Sequence, residues 1–220
     1  MIYDITPFSM IDYPNYISCI VWIAGCNLRC KYCYNEHIIN GFSNVSKNQL
    51  KSFLESRVGL VDGVVFSGGE CTNSSNLLDY IKLAKSLGYL IKIDSNGSNP
   101  NVIKNILEND LANYFAIDFK APKEKLKALT GLDYFDEFDK TLDILLDFKA
   151  EFEIRTTWHF DLLSVDEVLK MNEYLRKKGY KNKYYLQKFL EVPNIANLKQ
   201  SIKTIDFNRL NDDFLLRNFN

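Results

Sequence analysis

Three cysteines lie close together in the segment GCNLRCKYCYN, residues 25–35, and their thiolates are natural metal ligands. They are Cys26, Cys30 and Cys33, in the pattern C-x3-C-x2-C. Three thiolates can hold three irons of a [4Fe–4S] cluster and leave the fourth iron open, and an open metal position is typical of a site of chemistry. Because His37 follows closely, a tetrahedral zinc site is an alternative. A third alternative is buried structural cysteines, although the polar residues between them argue against it.

The composition narrows the setting of this chemistry. The 220 residues carry a formal net charge of -1 at pH 7, so the bulk charge attracts neither nucleic acid nor a membrane surface. No apolar run approaches the roughly 20 residues that a membrane span needs. The start, MIYDITPFSMIDYP, lacks the basic and apolar regions of a signal peptide. We therefore predict a cytoplasmic protein with reduced cysteines that binds neither nucleic acid nor a membrane.

Short β-branched or aromatic runs alternate with helical patterns along the chain. The predicted strands cover residues 17–24, 63–67, 89–95, 114–119, 151–157 and 183–189. The predicted helices follow Ser46, include Leu77, begin at Pro100, and cover 136–149, 164–178 and 196–205. Six successive βα units predict an α/β fold, a partial (β/α)6 TIM-like barrel whose parallel sheet has helices outside. We expect one domain over residues 1–220.

The remaining polar motifs each follow a predicted strand. SGGE follows the second strand, DSNG ends the third, DFK ends the fourth and RTTWH ends the fifth. The carboxyl ends of parallel strands meet at one edge of the sheet, which is the working edge of such folds. We therefore expect these motifs to lie beside the cysteine loop.

The cysteine pattern with Tyr32 directly before its last cysteine, followed by a GGE segment, resembles the signature of the radical S-adenosylmethionine (SAM) superfamily. The resemblance implies that Cys26, Cys30 and Cys33 bind the cluster and take part in catalysis, with Tyr32 beside the cofactors. It implies that SAM binds the open iron through its amino and carboxylate groups. One electron then cleaves SAM to methionine and a 5′-deoxyadenosyl radical, which abstracts a hydrogen atom.

The resemblance also implies which residues bind SAM after the second and third strands. Gly68 and Gly69 would let the backbone approach a ligand, and the Glu70 carboxylate would accept a hydrogen bond from the methionyl ammonium. The alternative is a turn with a solvated glutamate. Ser95 and Asn96 would bind the ribose hydroxyls, and Asn96-Gly97 also fits a simple tight turn.

Charged residues after the fourth and fifth strands complete the implied site. Lys120 would bind the SAM carboxylate and Arg155 would lie near SAM. The alternatives are a surface ion pair of Asp118 with Lys120, and Arg155 stacked on Trp158. Asp94 and Asp118 match positions that help to build a monovalent-cation site in the pyruvate formate-lyase activating branch, so a cation beside SAM is also implied.

Two further segments, FSMIDYP and CKYCYN, resemble the glycyl-radical-enzyme activating proteins. Asn15 stands where that group has glycine, and asparagine also tolerates left-handed backbone. No further cysteines lie between the cysteine loop and the second strand, which excludes the two-cluster activating enzymes. The implied function is hydrogen abstraction from a backbone glycine of a large partner enzyme.

The implied partners are a glycyl radical enzyme and a flavodoxin or ferredoxin-type electron donor. Anaerobic ribonucleoside-triphosphate reductase is favoured over pyruvate formate-lyase. A radical SAM enzyme that acts on a small molecule or nucleoside is an alternative, as is a zinc module built on the three cysteines and His37. The sequence assigns no role to Cys71, His37 or His159.

Overall fold

Eight strands form one sheet whose spatial order follows the sequence. The computed structural model describes residues 1–219, so the last residue of the predicted domain lies outside the described part. The strands are β1 (Ile2–Tyr13), β2 (Tyr16–Ile23), β3 (Gly63–Gly68), β4 (Leu90–Ser95), β5 (Tyr114–Asp118), β6 (Phe152–Trp158), β7 (Tyr184–Lys188) and β8 (Phe214–Arg217). β1 pairs antiparallel with β2, and every later pairing is parallel.

α-Helices connect the parallel strands from β2 to β7, whereas irregular backbone with a short 3-10 helix (Phe207–Arg209) connects β7 to β8. The α-helices are α1 (Glu36–Ile39), α2 (Lys47–Arg57), α3 (Leu77–Ser86), α4 (Pro100–Glu108), α5 (Lys123–Thr130), α6 (Phe135–Asp147) and α7 (Val165–Lys178). Within residues 1–219, no helix has both the length and the apolar character needed to cross a membrane.

The two faces of the sheet have different surroundings. Side chains such as Val21, Phe66 and Ile93 are fully buried and belong to the main core, together with the apolar sides of the helices. The alternate positions point the opposite way. There Ile20 and Val65 form a separate small cluster with partners from neighbouring strands. The sheet therefore has a helix-covered outer face and an inner face of its own.

The inner face is concave. Trp22 on β2 and Gln187 on β7 line the same cavity. In a flat sheet five strand spacings would separate these strands by about 24 Å. The sheet is therefore rolled into a partial barrel, as predicted, and within the described residues it stays open between β1 and β8.

The predicted parallel strands and most predicted helices are confirmed. All six strand predictions overlap β2 to β7. Two predicted helix starts show complete capping boxes, Ser46 with Gln49 and Ser164 with Glu167. The short-range rules worked here because each start satisfies its own backbone groups locally.

The prediction of six strands is wrong in number, and one helix prediction is wrong in kind. β1 was missed because Pro7 and its irregular pairing hide the strand pattern, which an edge strand tolerates. β8 is only four residues long. α5 was also missed, as only part of one side of it is buried. The predicted helix 196–205 is irregular backbone instead, and Ile202 within it is 99% exposed.

The β1–β2 turn offers a direct test of backbone strain. Asn15 has φ 68° and follows Pro14 between the paired Tyr13 and Tyr16. We expect Asn15→Ala to lower the free energy of unfolding by about 1 kcal/mol, because a Cβ without a polar group disfavours the left-handed region. Asn15→Gly should match the wild type within about 0.5 kcal/mol. Urea unfolding measures both, and equal stability of the Ala and Gly variants would contradict the assignment.

Candidate active site

All residues predicted to bind the cluster, SAM or a cation line one cavity at the carboxyl ends of the strands. Its empty volume, including space open to solvent, is about 1040 Å³. The predicted residues in its lining are Cys26, Cys30, Tyr32, Cys33, Gly68, Gly69, Glu70, Asp94, Ser95, Asn96, Asp118, Lys120 and Arg155. The structure therefore brings together residues from five separate segments of the chain, some at the ends of strands and some in loops.

On one side, the cysteine loop is held by the end of α5. The backbone N–H of Arg29 donates to the carbonyl of Thr130 at 2.7 Å, and that of Lys31 donates to Leu129 at 3.0 Å. These carbonyls stand at the C-terminus of α5, where they have no partner within the helix. The missed helix thus contributes directly to the shape of the site.

On the other side, the loop is held by a segment that overlaps the start of the wrongly predicted helix 196–205. The N–H groups of Ile195 and Ala196 donate to the carbonyls of Cys33 and Lys31, at 3.0 and 3.1 Å. Asn194 shapes this segment, since its amide donates to the carbonyls of Val192 and Leu198 and its oxygen accepts from the Leu198 N–H. We call residues 192–198 the strap. The strap is not helical, because Asn197 has φ 52°, in the left-handed region.

The three thiols of the loop are unpaired and shielded. Burial raises the pKa of Cys26, and it raises the pKa of Cys30 to about 12, with the neighbouring Cys26 and Cys33 thiols adding to that effect. The N–H of Leu28 donates to Cys26 Sγ at 3.4 Å. Three thiols that line one cavity form a donor set that suits an iron–sulfur cluster.

The zinc alternative lacks its fourth ligand. His37 is exposed, packs against the ring of Tyr3 at 5.5 Å between centroids, and does not line the cavity. Within residues 1–219, no three His, Cys, Asp or Glu side chains are close enough to share a single metal ion. A cluster differs in this respect, because each thiolate binds a different iron.

The two glycines of SGGE allow the loop after β3 to lie against the cysteine loop. A Cβ on Gly68 would lie 2.3 Å from the Ile23 carbonyl oxygen, and one on Gly69 would lie 2.1 Å from that of Gly25. The N–H groups of Gly69 and Glu70 donate to these same two carbonyls. Glycine is therefore required here by neighbouring backbone.

Glu70 is not the solvated glutamate of the alternative reading, since it is only 1% exposed. Its Oε1 accepts from the N–H and the hydroxyl of Thr72 and from the hydroxyl of Ser95, while Oε2 accepts from the Asn96 N–H at 2.6 Å. Burial raises the pKa of Glu70, and these hydrogen bonds oppose the rise. The carboxylate thus ties the loop after β3 to the loop after β4, and Oε2 keeps capacity for one more donor.

A ring of polar side chains joins the cysteine loop to the loop after β4. Asn96 donates to Asn27 Oδ1 at 3.0 Å, Asn27 donates to Ser98 Oγ at 2.8 Å, and the Ser98 N–H donates to Asn96 Oδ1. Gly97 has φ 76°, so the predicted tight turn is also present. Asn27 and Ser98 were missed, although Asn27 lies in the cysteine segment and Ser98 directly follows DSNG.

Five charged side chains form a continuous network inside the barrel. Lys92 lies 2.8 Å from Asp94, Arg155 bridges Asp94 at 3.2 Å and Asp118 at 2.6 Å, and Lys120 lies 2.8 Å from Asp118. Three cations thus meet two carboxylates. The excess positive charge suits an anionic group of a ligand. Lys92 was missed, yet its inward position two residues before Asp94 in a buried strand was the available signal.

The network is held within the cavity and not at the surface. Burial alone would raise the pKa of Asp118, but Arg155 and Lys120 outweigh it and lower that pKa to about 2. Asp118 in turn holds the pKa of Lys120 well above its usual value against the opposing effect of burial. Trp158 is not stacked on Arg155, because its indole faces the outer core and donates to the Leu163 carbonyl.

His159 and Cys71 serve the scaffold. His159 is buried, its Nε2 lies 2.8 Å from the Lys199 carbonyl, and its Nδ1 accepts from the Asp161 N–H. Nε2 therefore carries the proton and fixes the chain beyond the strap. Cys71 is fully buried, with its Sγ 3.3 Å from the Asp94 carbonyl. Neither residue lines the cavity.

Comparison with protein families and named relatives gives one consistent result. The family model of the Radical SAM superfamily matches residues 20–187. A Methanocaldococcus jannaschii protein named as a glycyl-radical enzyme activating enzyme is 30% identical over 177 residues, which cover 72% of this chain and 68% of the relative. The pyruvate formate-lyase-activating enzyme of Clostridium pasteurianum is 31% identical over 154 residues, 64% of this chain and 63% of the relative.

Solved structures share the fold. SuiB of Streptococcus suis bound to S-adenosylmethionine has a TM-score of 0.64 at 13% identity, over 83% of this chain and 44% of that chain. The protein anSMEcpe with bound AdoMet and a peptide has a TM-score of 0.60 at 22% identity, over 76% of this chain and 48% of that chain. The chain thus spans less than half the length of these solved chains.

Asn194 should control how firmly the strap holds the cysteine loop. We expect Asn194→Ala to speed hydrogen exchange of the Ile195 and Ala196 amides about tenfold, because the three hydrogen bonds that shape the strap are lost. Lys199→Ala is the matched control, since the Lys199 side chain is largely exposed. Mass-spectrometric hydrogen exchange measures both, and unchanged protection in the Asn194 variant would contradict the role of the strap.

Asp118 should make a pH-dependent contribution to stability. Its folded-state pKa lies below the unfolded value, so its stabilisation is complete above about pH 4 and is lost as the pH falls towards 2. Asp118→Asn should cost about 3 kcal/mol near neutral pH, because two buried cations lose a partner.

The difference between wild type and this variant should shrink by about 1 kcal/mol between pH 5 and pH 3 in urea unfolding. Asp110→Asn, which breaks an exposed ion pair with Lys85, should cost under about 0.5 kcal/mol at either pH. A constant deficit of the Asp118 variant across this range would refute the assignment.

Proposed function

Because this chain is an enzyme of the radical SAM superfamily, we propose that it activates a glycyl-radical enzyme by taking a hydrogen atom from a backbone glycine of that partner. SAM is consumed as a co-substrate, and the partner keeps the radical. The observation that carries the proposal is a single cavity. The cysteine loop, Glu70, the end of β4, and the charged side chains of Asp118, Lys120 and Arg155 all line it.

The cysteine loop fits a [4Fe–4S] cluster as its resident group. Cys26, Cys30 and Cys33 would each bind one iron, and no other protein ligand is needed at the fourth. When bound, the cluster supplies one electron to SAM, which breaks a carbon–sulfur bond and yields the radical that abstracts hydrogen. Iron binds thiolates, so cluster assembly would remove the protons from Cys26 and Cys30, whose pKa values are raised by burial.

The protein's own residues would hold SAM by its charged groups. Lys120 and Arg155 provide the positive charge for its carboxylate, and Glu70 Oε2 has capacity to accept from its ammonium. Ser95 and Asn96 line the cavity for the ribose, although their side chains already bond to Glu70 and Asn27. These residues orient SAM and exclude water from it.

A protein loop as substrate requires an accessible cavity. The cavity opens to solvent, and the described part of the sheet leaves β1 and β8 unpaired with each other. An inserted glycine loop could therefore reach the site without unfolding the barrel. For the partner, the sequence favours anaerobic ribonucleoside-triphosphate reductase, whereas one relative is named for pyruvate formate-lyase. Both are therefore substrates for the test.

Thr157 and Gln187 favour a second candidate function. Both are polar, stand on neighbouring strands and line the cavity. They could bind a small polar substrate or nucleoside beside the same SAM site. The two functions differ in product, because only an activating enzyme leaves a radical on a second protein.

A monovalent cation beside SAM stays a prediction. Asp94 Oδ1 is buried without an aligned hydrogen bond, although Lys92 Nζ lies 2.8 Å away, and this oxygen could bind a cation. Arg155 bridges Asp94 and Asp118, so a cation at both carboxylates would compete with the guanidinium. We further propose a flavodoxin or ferredoxin-type donor and a cytoplasmic location, since exposed three-thiolate clusters need reducing surroundings.

Electron paramagnetic resonance of the anaerobically reconstituted, reduced protein tests the proposal. We expect a [4Fe–4S]⁺ signal whose shape changes when SAM is added. His37→Ala should keep the full iron content and the signal. Cys30→Ser should lose most of both, because Cys30 is a proposed cluster ligand and His37 is not. Bound zinc with no iron, or a cluster that ignores SAM, would refute the assignment.

The second step is to mix the reduced protein and SAM with each of the two candidate partners. A glycyl-radical signal on either partner, absent with the Cys30→Ser variant, is the expected result. Consumption of SAM without a radical on either protein would favour the small-molecule alternative.

A further inference from the structure

Two polar side chains on the inner face of the barrel have no partner in the protein. Thr157 on β6 and Gln187 on β7 occupy paired positions in the parallel register, and both line the cavity. Both are partly buried, and within residues 1–219 neither the Thr157 hydroxyl nor the Gln187 amide makes a hydrogen bond. The adjacent Thr156 hydroxyl, in contrast, donates to the Phe119 carbonyl in the outer core. Polar groups that the protein leaves unpaired at a cavity wall are available to a ligand.

The pair lies beside the proposed SAM site. Arg155 precedes Thr157 by two positions on β6, so both side chains point into the barrel and Thr157 stands closer to the carboxyl edge. Neighbouring strands are about 4.8 Å apart, which puts Gln187 next to Thr157 on the same wall. Only β8 separates β7 from the open side of the sheet. A ligand that enters from this side therefore reaches the pair next to the charge network.

The chemistry of the pair matches a peptide group. The Gln187 amide offers both an acceptor and donors, and the Thr157 hydroxyl can donate or accept. A backbone peptide needs an acceptor for its N–H and a donor for its carbonyl. Neither side chain is charged, so the pair suits a neutral backbone, whereas Lys120 and Arg155 provide the charge for a carboxylate. A protein loop that leaves water to enter the cavity needs such partners, because unpaired buried peptide groups are costly.

We propose that Thr157 and Gln187 form the substrate subsite of the cavity and bind the peptide groups beside the target glycine. The proposal rests on the proposed function, which brings a glycine loop of a partner enzyme into the cavity. The two side chains hold this loop with its glycine Cα toward the SAM site, and they bind neither the cluster nor SAM. Because they stand on two paired strands, their own positions are fixed by the sheet.

Gln187→Met and Thr157→Val are the main test, since each nearly keeps the size of the side chain and removes its hydrogen bonds. The partner is whichever of anaerobic ribonucleoside-triphosphate reductase and pyruvate formate-lyase the wild type activates. At a partner concentration below half-saturation, we expect each variant to form the glycyl radical about five- to tenfold more slowly. The change of the [4Fe–4S]⁺ signal on adding SAM should occur at the same SAM concentration as in the wild type.

Gln200→Met is the matched control for the glutamine variant. Gln200 is exposed and does not line the cavity, so its rate of radical formation should stay within about twofold of the wild type. Thr157→Ser restores a hydroxyl and should recover most of the rate that Thr157→Val loses.

Gln187→Asn covers a Gln187→Met variant that does not fold or load its cluster. It keeps a polar amide in the cavity wall, but the shorter side chain holds that amide too far from the loop for a good hydrogen bond. Its rate of radical formation should also fall, by about threefold or more. A wild-type rate in this variant would overturn the proposal.

Two further results would count against the subsite. Wild-type rates in both Gln187→Met and Thr157→Val would overturn it. A weaker response to SAM that parallels the loss of activation would overturn it as well, because the pair would then belong to the SAM site. A wild-type protein that forms no radical on either partner would instead refute the proposed function, on which the subsite depends.

Discussion

The cysteine loop has no regular secondary structure, so its shape depends on backbone hydrogen bonds from distant parts of the chain. Carbonyls at the end of α5 accept from Arg29 and Lys31, and the strap donates to Lys31 and Cys33. Glu70 N–H donates to the carbonyl of Gly25 at the start of the loop. Isolated loops of this kind would not hold three thiols toward one cavity, because ordering each residue costs conformational entropy. The parallel sheet offsets this cost, because it brings the end of α5, the strap and the Glu70 segment to one edge, where they hydrogen-bond to the loop.

Each buried carboxylate in the site is paired with hydrogen-bond donors or with cationic side chains. Glu70 is stabilised by donors on two loops, and those loops are positioned by the same hydrogen bonds. Inside the barrel, Arg155 links Asp94 to Asp118, so the ends of β4, β5 and β6 share one charge network. Such a network is favourable only when every member has a partner. Every charged side chain of this network has a partner before any cofactor binds.

Prediction from sequence was most successful where the signal is local. The capping boxes at Ser46 and Ser164 satisfy their own backbone groups, and the buried strands contain enough apolar residues to be seen alone. The helix predicted over 196–205 failed for the opposite reason. Its spacing of apolar residues is helical, but Asn197 has φ 52°, the Gln200 N–H donates to the Glu191 carboxylate, and Ile202 faces solvent. β1 was missed since an edge strand tolerates Pro7 and uneven pairing.

The sequence by itself determined the superfamily of this protein and predicted its site, because Cys26, Cys30, Cys33, Glu70 and Lys120 follow strands that a parallel sheet must align. It also determined the type of fold, through the repeated alternation of buried strands and helices. Only the tertiary structure decided which groups surround the site. The strap and Asn27 are far along the chain from the groups that they contact, and no periodic pattern records a contact that depends on how the sheet is rolled.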